Sequence, residues 1–119
     1  MRASPKIQIF VQIEVTDPAA FKAAAARCSE LSSAEPGTLT YDWYIDENGA
    51  TARLVEAYAT LADLVAHATG PVATEAGPRL MQTCKFRQMD ILGDTGDLAE
   101  QPTFWPTSAW GRPFASLTA

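Results

Sequence analysis

Residues 35–69, EPGTLTYDWYIDENGATARLVEAYATLADLVAHAT, contain two alternating segments joined by a turn, followed by a helical segment. The first, TLTYDWYID at 38–46, alternates apolar and polar side chains, which is typical of a β-strand with one buried face. Glu-Asn-Gly at 47–49 follows, and Asn-Gly suits the positive φ angles of a hairpin turn. The returning segment, 50–59, is therefore predicted to be the antiparallel partner of the first strand.

The end of that stretch, TLADLVAHA at 60–68, predicts a short helix that stops before Gly70 and Pro71. At about 100° per residue, its apolar stripe consists of Leu61, Leu64, Val65 and Ala68. His67, the only histidine of the chain, lies roughly 110° from the centre of that stripe. This position leaves two alternatives open: a pocket between helix and sheet, or a half-exposed surface site.

The flanking segments complete an alternating order of strands and helices. KIQIFVQIEV at 6–15 alternates as a strand does, and CKFRQMDIL at 84–92 predicts another. Between 18 and 34 we predict a helix, because Asp17 is a natural N-cap and Pro18 suits the first turn. Its expected core face is Phe21, Ala24, Ala25, Cys28 and Leu31. The order β-α-β-β-α-β predicts an α+β, ferredoxin-like fold with a four-stranded antiparallel sheet and both helices on one face.

The last 26 residues differ in composition from the rest, so we divide the chain into a domain at 1–93 and an extended C-terminal tail at 94–119. The tail carries three of the eight prolines and two of the three tryptophans, without a clear period. It is predicted to pack over an exposed apolar surface of the domain, or to act as a lid or a clamp on a second subunit. In either case Phe104, Trp105 and Trp110 are expected to be buried.

The predicted helices cover only one face of the sheet. Apolar side chains on its other face therefore need a second surface to bury them. Here that face includes Phe10 and Tyr44 among polar side chains. We therefore predict a homodimer, with sheet face against sheet face and with the tail contributing.

Composition excludes several classes of function. The chain has 119 residues, 47% hydrophobic, and a net charge of −5, which suits one globular domain without a basic surface for nucleic acid or anionic membrane. No stretch reaches the roughly 18 apolar residues of a membrane span. Cys28 and Cys84 are expected to be buried thiols in a reducing, cytoplasmic compartment. One histidine and two distant cysteines do not supply a metal site, and no glycine-rich loop suits a phosphate or dinucleotide cofactor, so neither is predicted.

The stretch at 35–69 resembles the antibiotic biosynthesis monooxygenase family. The matching motifs are EPG followed by TLTY, a hairpin, LVEAY at 54–58 and DLVAHA at 63–68. With the first strand and helix, the resemblance covers roughly residues 6–92. It implies a ferredoxin-like protomer that dimerises through its sheet into a dimeric α/β barrel. Members include cofactor-independent oxygenases of quinols and anthrones, and relatives of similar fold isomerise lactones, cyclise polyketides or degrade haem.

The resemblance also implies a site. Asp63 and His67 stand where the anthrone oxygenases carry a pocket-lining Asn and Trp, whereas simpler quinol-monooxygenase-like members carry His at the position of His67. The Glu-x-Trp that often ends the third strand reads Glu56-Ala57-Tyr58 here. His67 would be the base, since its ordinary pKa is near neutral. Asp63, four residues earlier on the same side of the helix, could orient it.

The pocket walls come from the strand at 38–46 and the second helix. Leu39, Tyr41 and Trp43 share one strand face, and Leu64 would close the cavity from the helix. A flat aromatic substrate would stack on Trp43; the alternative for all these residues is ordinary core packing.

Two further side chains complete the candidate site. Tyr58 could donate its hydroxyl to a substrate oxygen or make only a hydrophobic contact. Glu56 is either a buried acid facing the pocket or, as the sequence favours, an ion-pair partner of Arg53, Lys85 or Arg87.

These expectations support one leading hypothesis: a cytoplasmic homodimer that acts as a cofactor-independent monooxygenase, combining O2 with an aromatic or polycyclic hydroxylated substrate. One alternative is an isomerase, cyclase or lyase of the same fold that uses the base without O2. Another is a non-catalytic dimeric protein that binds a ligand or assists another enzyme.

Overall fold

A computed structural model of the protein describes residues 5–96 and 106–116. In chain order the elements are β1 (Ile7–Val15), α1 (Pro18–Ser32), β2 (Thr38–Ile45), β3 (Thr51–Tyr58), α2 (Leu61–Thr69), a π-helical turn (Val72–Ala76), α3 (Gly77–Met81), β4 (Cys84–Gly93) and β5 (Thr107–Gly111).

The sheet has the order β2-β3-β1-β4-β5, with β1 at its centre. β1 pairs antiparallel with both β3 and β4, and β2 pairs antiparallel with β3. The predicted α+β, ferredoxin-like arrangement is therefore confirmed. The predicted count of four strands is one too low, because β5 adds a strand in parallel with β4 at the sheet edge.

The core lies between the sheet and the helices. Five alternate side chains of β1 are buried: Ile7, Ile9, Val11, Ile13 and Val15. They meet the α1 face formed by Phe21, Ala24, Ala25 and Cys28. Both patterns agree with the sequence prediction, because alternation in a strand and the 3.6-residue period of a helix each put apolar side chains on one face.

α1 begins where the sequence predicts. The Asp17 side chain accepts a hydrogen bond from the backbone N–H of Ala20 at 3.2 Å, and Pro18 occupies the first turn. The helix ends at Ser32, two residues before the predicted end at 34. The segment from 71 to 84, which has no clear period in the sequence, forms the π-helical turn and α3.

The predicted core stripe of α2 is partly wrong. Leu64 and His67 are the buried side chains of this helix, whereas Val65 is 43% exposed and Ala68 is also exposed. The prediction counted only apolar residues as buried. It therefore left out His67, whose ring forms a hydrogen bond with Glu35 inside the protein. The helix is therefore rotated toward His67.

The tail joins the domain through β5. Trp110 of this strand is 66% exposed in the single chain, and its Nε1 donates to Asp90 Oδ1 at 3.2 Å. The expected burial of Trp110 against its own domain is therefore wrong, and burial against a second subunit stays a prediction. Phe104 and Trp105 lie outside the described residues. On the uncovered sheet face, Phe10 and Tyr44 are 37% and 57% exposed.

Gly93, at the end of β4, provides a test of the packing of β4 on β1. Its φ is +117°, and a Cβ there would lie 2.2 Å from the backbone oxygen of Lys6. We expect Gly93→Ala to lower the free energy of unfolding by about 1–3 kcal/mol in urea denaturation, through both overpacking and backbone strain.

Gly96→Ala is the matched control for that substitution. Gly96 has a φ of +53° and no atom within 4 Å of an added Cβ, so it reports the cost of a positive φ angle without a steric contact. Equal destabilisation by the two variants would show that the contact with Lys6 contributes nothing.

Candidate functional site

Polar side chains from three segments meet under the helices. Glu56 and Tyr58 lie two residues apart on β3 and therefore point to the same face of the sheet. His67 descends from α2, and Glu35 comes from the loop between α1 and β2. The exposed fractions of Glu56, Tyr58 and His67 are 5%, 0% and 8%, so their polar atoms depend on partners within the protein for hydrogen bonds.

The imidazole of His67 lies between two carboxyl groups. Its Nδ1 is 2.8 Å from Glu35 Oε1, and its Nε2 is 3.6 Å from Glu56 Oε1. Glu35 Oε1 also accepts a hydrogen bond from the Thr38 hydroxyl at 2.8 Å. A neutral imidazole that donates its Nδ1–H to Glu35 keeps a lone pair on Nε2. This arrangement leaves Nε2 as the atom that can take up a proton.

The loop that carries Glu35 is held against α2 and β3. The backbone N–H of Ala59 donates to the carbonyl of Gly37 at 3.0 Å. A Cβ on Gly37 would lie 1.9 Å from Asp63 Cγ, so a larger residue there would have to displace the Asp63 carboxylate. The Glu-Pro-Gly motif thus places Glu35 beside His67, a role that the sequence analysis missed because it used the motif only as a sign of the family resemblance.

Asp63 does not contact the imidazole as expected. Its Oδ2 accepts from the Thr60 hydroxyl at 2.7 Å, and its backbone N–H donates to Thr60 Oγ1 at 3.2 Å. These bonds cap the start of α2. Glu35, which is 32 residues from His67 in the chain, occupies the position beside Nδ1 instead.

Glu56 is a buried acid and has none of the predicted ion pairs. The Tyr58 hydroxyl donates a short hydrogen bond to Glu56 Oε1. Burial raises the pKa of the Glu56 carboxyl, against the opposing effects of the Tyr58 hydrogen bond and of His67. The expectation of a pair with Arg53, Lys85 or Arg87 is wrong: Glu56 points toward the helices, and Arg87 binds the exposed Glu14 at 2.6 Å.

Two phenol rings flank the imidazole. The ring centroid of Tyr41 lies 5.1 Å from that of His67, and the Tyr58 ring lies at 5.4 Å. Burial raises the pKa of the nearby Cys28 thiol to about 11. Burial likewise raises the pKa of both phenols. The surroundings of His67 are therefore aromatic and largely dry.

An apolar groove of about 630 Å³ runs between α1 and β2. Its lining residues are Phe21, Lys22, Ala25, Ala26, Ser29, Tyr41, Asp42, Trp43, Tyr44 and Ile45. Of the predicted pocket residues, Tyr41 and Trp43 line this groove, whereas Leu39, Leu64 and Glu56 do not. Tyr41 is the link between the two regions, since it contacts His67 and is the register partner of Glu56 on β3.

Trp43 carries an unused donor in the groove wall. Its ring packs edge-on against Phe21 and Tyr41, with centroids 5.6 Å apart in each case. The buried Nε1 has no hydrogen-bond partner within the part of the chain that the structure describes. Since a buried unpaired N–H is costly, this atom is suited to donate to an oxygen of a bound ligand.

Across residues 5–96 and 106–116, no three His, Cys, Asp or Glu side chains are arranged to hold a metal ion. Within the same residues, no helix has both the length and the apolar character required to cross a membrane.

Comparison with known proteins gives matches among solved structures alone. No protein-family model matches the sequence, and no curated protein matches it. MupZ from Pseudomonas fluorescens superposes with a TM-score of 0.68 at 20% identity, over 84% of this chain and 77% of that chain. SnoaB, a cofactor-independent oxygenase from Streptomyces nogalater, gives 0.66 at 11% identity, over 74% and 91%.

A third similar structure, from Caulobacter crescentus CB15, is provisionally named an antibiotic biosynthesis monooxygenase. It has a TM-score of 0.60 at 21% identity, over 73% of this chain and 86% of that chain. These matches confirm at the level of the fold the resemblance found in the sequence: the chain has the ferredoxin-like fold of the antibiotic biosynthesis monooxygenases.

The buried acid predicts a pH-dependent stability. Because folding raises the pKa of Glu56 above its ordinary value of 4.5, the folded state holds this proton more tightly than the unfolded chain does. Stability from this group is complete below pH 4.5 and is lost as the pH rises toward the folded pKa, by up to about 1.4 kcal/mol per pH unit.

We expect Glu56→Gln to remove this loss, so that urea denaturation at increasing pH gives a flatter stability curve than that of the wild type. Glu75→Gln, which removes an exposed carboxylate bound to Arg27, is the control and should keep the slope. Parallel curves for wild type and Glu56→Gln would contradict the raised pKa.

Proposed function

We propose that the protein is a cofactor-independent monooxygenase that acts on an aromatic or polycyclic hydroxylated small molecule, with His67 as the base. The observation that carries this proposal is the burial of His67 between Glu35 and Glu56, beside an aromatic-walled groove. A base held by a carboxylate in a dry site is what proton abstraction near neutral pH requires.

The chemistry needs no cofactor if the substrate supplies the electrons. His67 Nε2 removes a proton from the substrate, and the electron-rich anion passes one electron to O2. The resulting substrate radical and superoxide combine to form a peroxide, which loses water. For a CH2 group activated by neighbouring rings, one O2 gives one carbonyl and one water, and the proton held by His67 leaves in that water.

The groove would hold the aromatic body of the substrate. Trp43 offers a flat wall and its unpaired Nε1, and Tyr41 separates the groove from His67. Entry of the reacting group therefore requires the Tyr41 side chain to move aside. Tyr58 would act by holding Glu56, and Asp63 by capping the helix that carries His67.

The names of the similar structures agree with this proposal without determining the reaction. SnoaB is described as a cofactor-independent oxygenase, and at 11% identity it shares the fold. Because one fold supports many reactions, the proposal depends on the geometry around His67 rather than on that name.

A second candidate is an isomerase, cyclase or lyase that uses the same base without O2. Glu56 favours it, because burial raises the pKa of this carboxyl and so provides an acid beside the base. Such reactions usually require an acid and a base whose pKa values are shifted apart by their environments.

We also propose that the chain acts as a homodimer through its uncovered sheet face. Phe10 and Trp110 are exposed there beside Asp90, which is the register partner of Phe10 and accepts the Trp110 hydrogen bond. Exposed aromatic side chains grouped on one face are typical of a subunit contact.

Sedimentation equilibrium would test the dimer. We expect wild type to have twice the mass of the chain and Phe10→Asp to shift the equilibrium toward monomer, because the substitution places a charge in the contact. Val65→Asp is the control, since Val65 is 43% exposed on α2, on the side of the sheet that the helices cover. A monomeric wild type would contradict the proposal.

Oxygen uptake with quinols and anthrones would test the reaction. We expect His67→Gln to lower kcat by about 10²- to 10⁴-fold, the usual contribution of a general base, while Glu75→Gln stays at the wild-type rate. Circular dichroism would confirm that both variants fold. Equal uptake by wild type and His67→Gln would exclude His67 as the base, and product formation under strict anaerobiosis would favour the second candidate.

A further inference from the structure

We propose that the groove between α1 and β2 selects a flat aromatic substrate that carries a carboxylate at one end, and that Lys22 binds this carboxylate. This inference rests on the proposed use of the groove by the aromatic body of the substrate. It adds the charge of the substrate and its direction in the groove, with the anionic end away from His67. Lys22 is thereby a residue that determines specificity, not a catalytic one.

Lys22 is the only positively charged side chain among the residues that line the groove. It lies on the exposed side of α1, directly after Phe21, whose ring packs edge-on against Trp43. Its position therefore puts a cation at the open side of an aromatic wall. The groove has a volume of about 630 Å³, within the usual size of a site for a small molecule.

The ammonium group of Lys22 is not neutralised by its own helix. Within residues 5–96 and 106–116 it forms no ion pair or hydrogen bond. A lysine on a helix usually finds a carboxylate three or four residues away. Here those positions are occupied by Pro18, Ala19, Ala25 and Ala26.

The acidic side chain that borders the groove faces away from Lys22. Asp42 and Trp43 are consecutive on β2, so their side chains point to opposite faces of the sheet. Trp43 is the register partner of Leu54, which is part of the core under the helices. The Asp42 carboxylate is therefore on the uncovered face of the sheet, and Lys22 is left to bind an anion from outside.

The two ends of the groove differ in chemistry, which sets the direction of the ligand. Tyr41 forms the end beside His67, with ring centroids 5.1 Å apart, and it lies near Cys28 of α1. Lys22 precedes Cys28 by six residues, which is about 9 Å along a helix. A ligand that reaches from Lys22 to Tyr41 therefore needs a long aromatic body, such as three rings fused in a row.

Two unpaired donors along the groove favour a ligand with anionic oxygens. One is the Lys22 ammonium, and the other is the buried Trp43 Nε1, which has no partner in the part of the chain that the structure describes. A hydrocarbon leaves both unsatisfied, whereas ligand oxygens can accept from them. Because the chain has a net charge of −5, its overall field repels anions, so selection of a carboxylate depends on this local contact.

Anaerobic binding of three anthracene probes to the full-length protein tests the inference without turnover. Anthracene-2-carboxylate carries its charge at the end of the long axis, anthracene-9-carboxylate carries it at the middle, and 2-(hydroxymethyl)anthracene is neutral. In fluorescence titrations we expect the first to bind about 3- to 10-fold more tightly than the others, since only it reaches Lys22 with its rings along the groove. The preference should weaken with added salt, which screens an exposed charge pair.

Three variants connect this preference to the groove. Lys22→Met keeps the length of the side chain without its charge, so it should abolish the preference and leave the affinity of the neutral probe unchanged. Arg79→Met is the control, because it makes the same change in net charge at an exposed site of α3 outside the groove, and it should keep the preference. Trp43→Phe should weaken the binding of all three probes, with circular dichroism as the check of folding.

Several results would overturn the inference. One is equal affinity of wild type for the three probes, or no binding of any of them. Another is an equal effect of Lys22→Met and Arg79→Met, since this would leave only the net charge of the chain. Unchanged binding in a folded Trp43→Phe variant would place the probes outside the groove and would also contradict it.

Oxygen uptake separates this inference from the proposed function. Equal kcat/KM for a neutral anthrone and for one with a carboxylate at the end of its long axis would contradict the inference and leave the oxygenase proposal intact. Binding that prefers the end carboxylate and depends on Lys22, without oxygen uptake from any anthrone, would support the inference and contradict the oxygenase.

Discussion

The contact between His67 and Glu35 is the constraint on which the site depends. A histidine side chain with only 8% exposure needs a hydrogen-bond partner within the protein, because burying an unpaired polar group costs its desolvation energy. Glu35 supplies that partner at 2.8 Å and thereby ties the loop after α1 to α2. Gly37 favours this contact, because a Cβ at this position would have to displace the Asp63 carboxylate.

That contact also organises the chemistry of the cluster. With Nδ1 engaged by Glu35, Nε2 faces Glu56, whose pKa is raised because it lies buried among Tyr58, Tyr41 and the core. Burial of the Glu56 carboxyl thus favours its uncharged form. The result is an imidazole nitrogen 3.6 Å from a buried carboxyl oxygen, on a fold that supports many reactions.

Much of the fold could be predicted from the sequence, because its signals are local. The alternation at 6–15, the Asn-Gly turn and the Asp17 cap each describe a few consecutive residues, and the structure has β1, the hairpin and α1 at those places. β5 was not predicted, because its five residues show no alternation and its parallel pairing with β4 is a contact between segments distant in sequence.

The sequence by itself determined the fold class and the residue types available for catalysis: one histidine, with Glu56 and Tyr58 on one strand face. Only the tertiary structure decided which of them meet. Spacing along a helix pointed to Asp63 as the partner of His67, because residues four apart are neighbours on one helix. The structure instead joins His67 to Glu35 and turns Glu56 away from the arginines, since burial makes hydrogen bonding between distant segments outweigh the nearest contact along the chain.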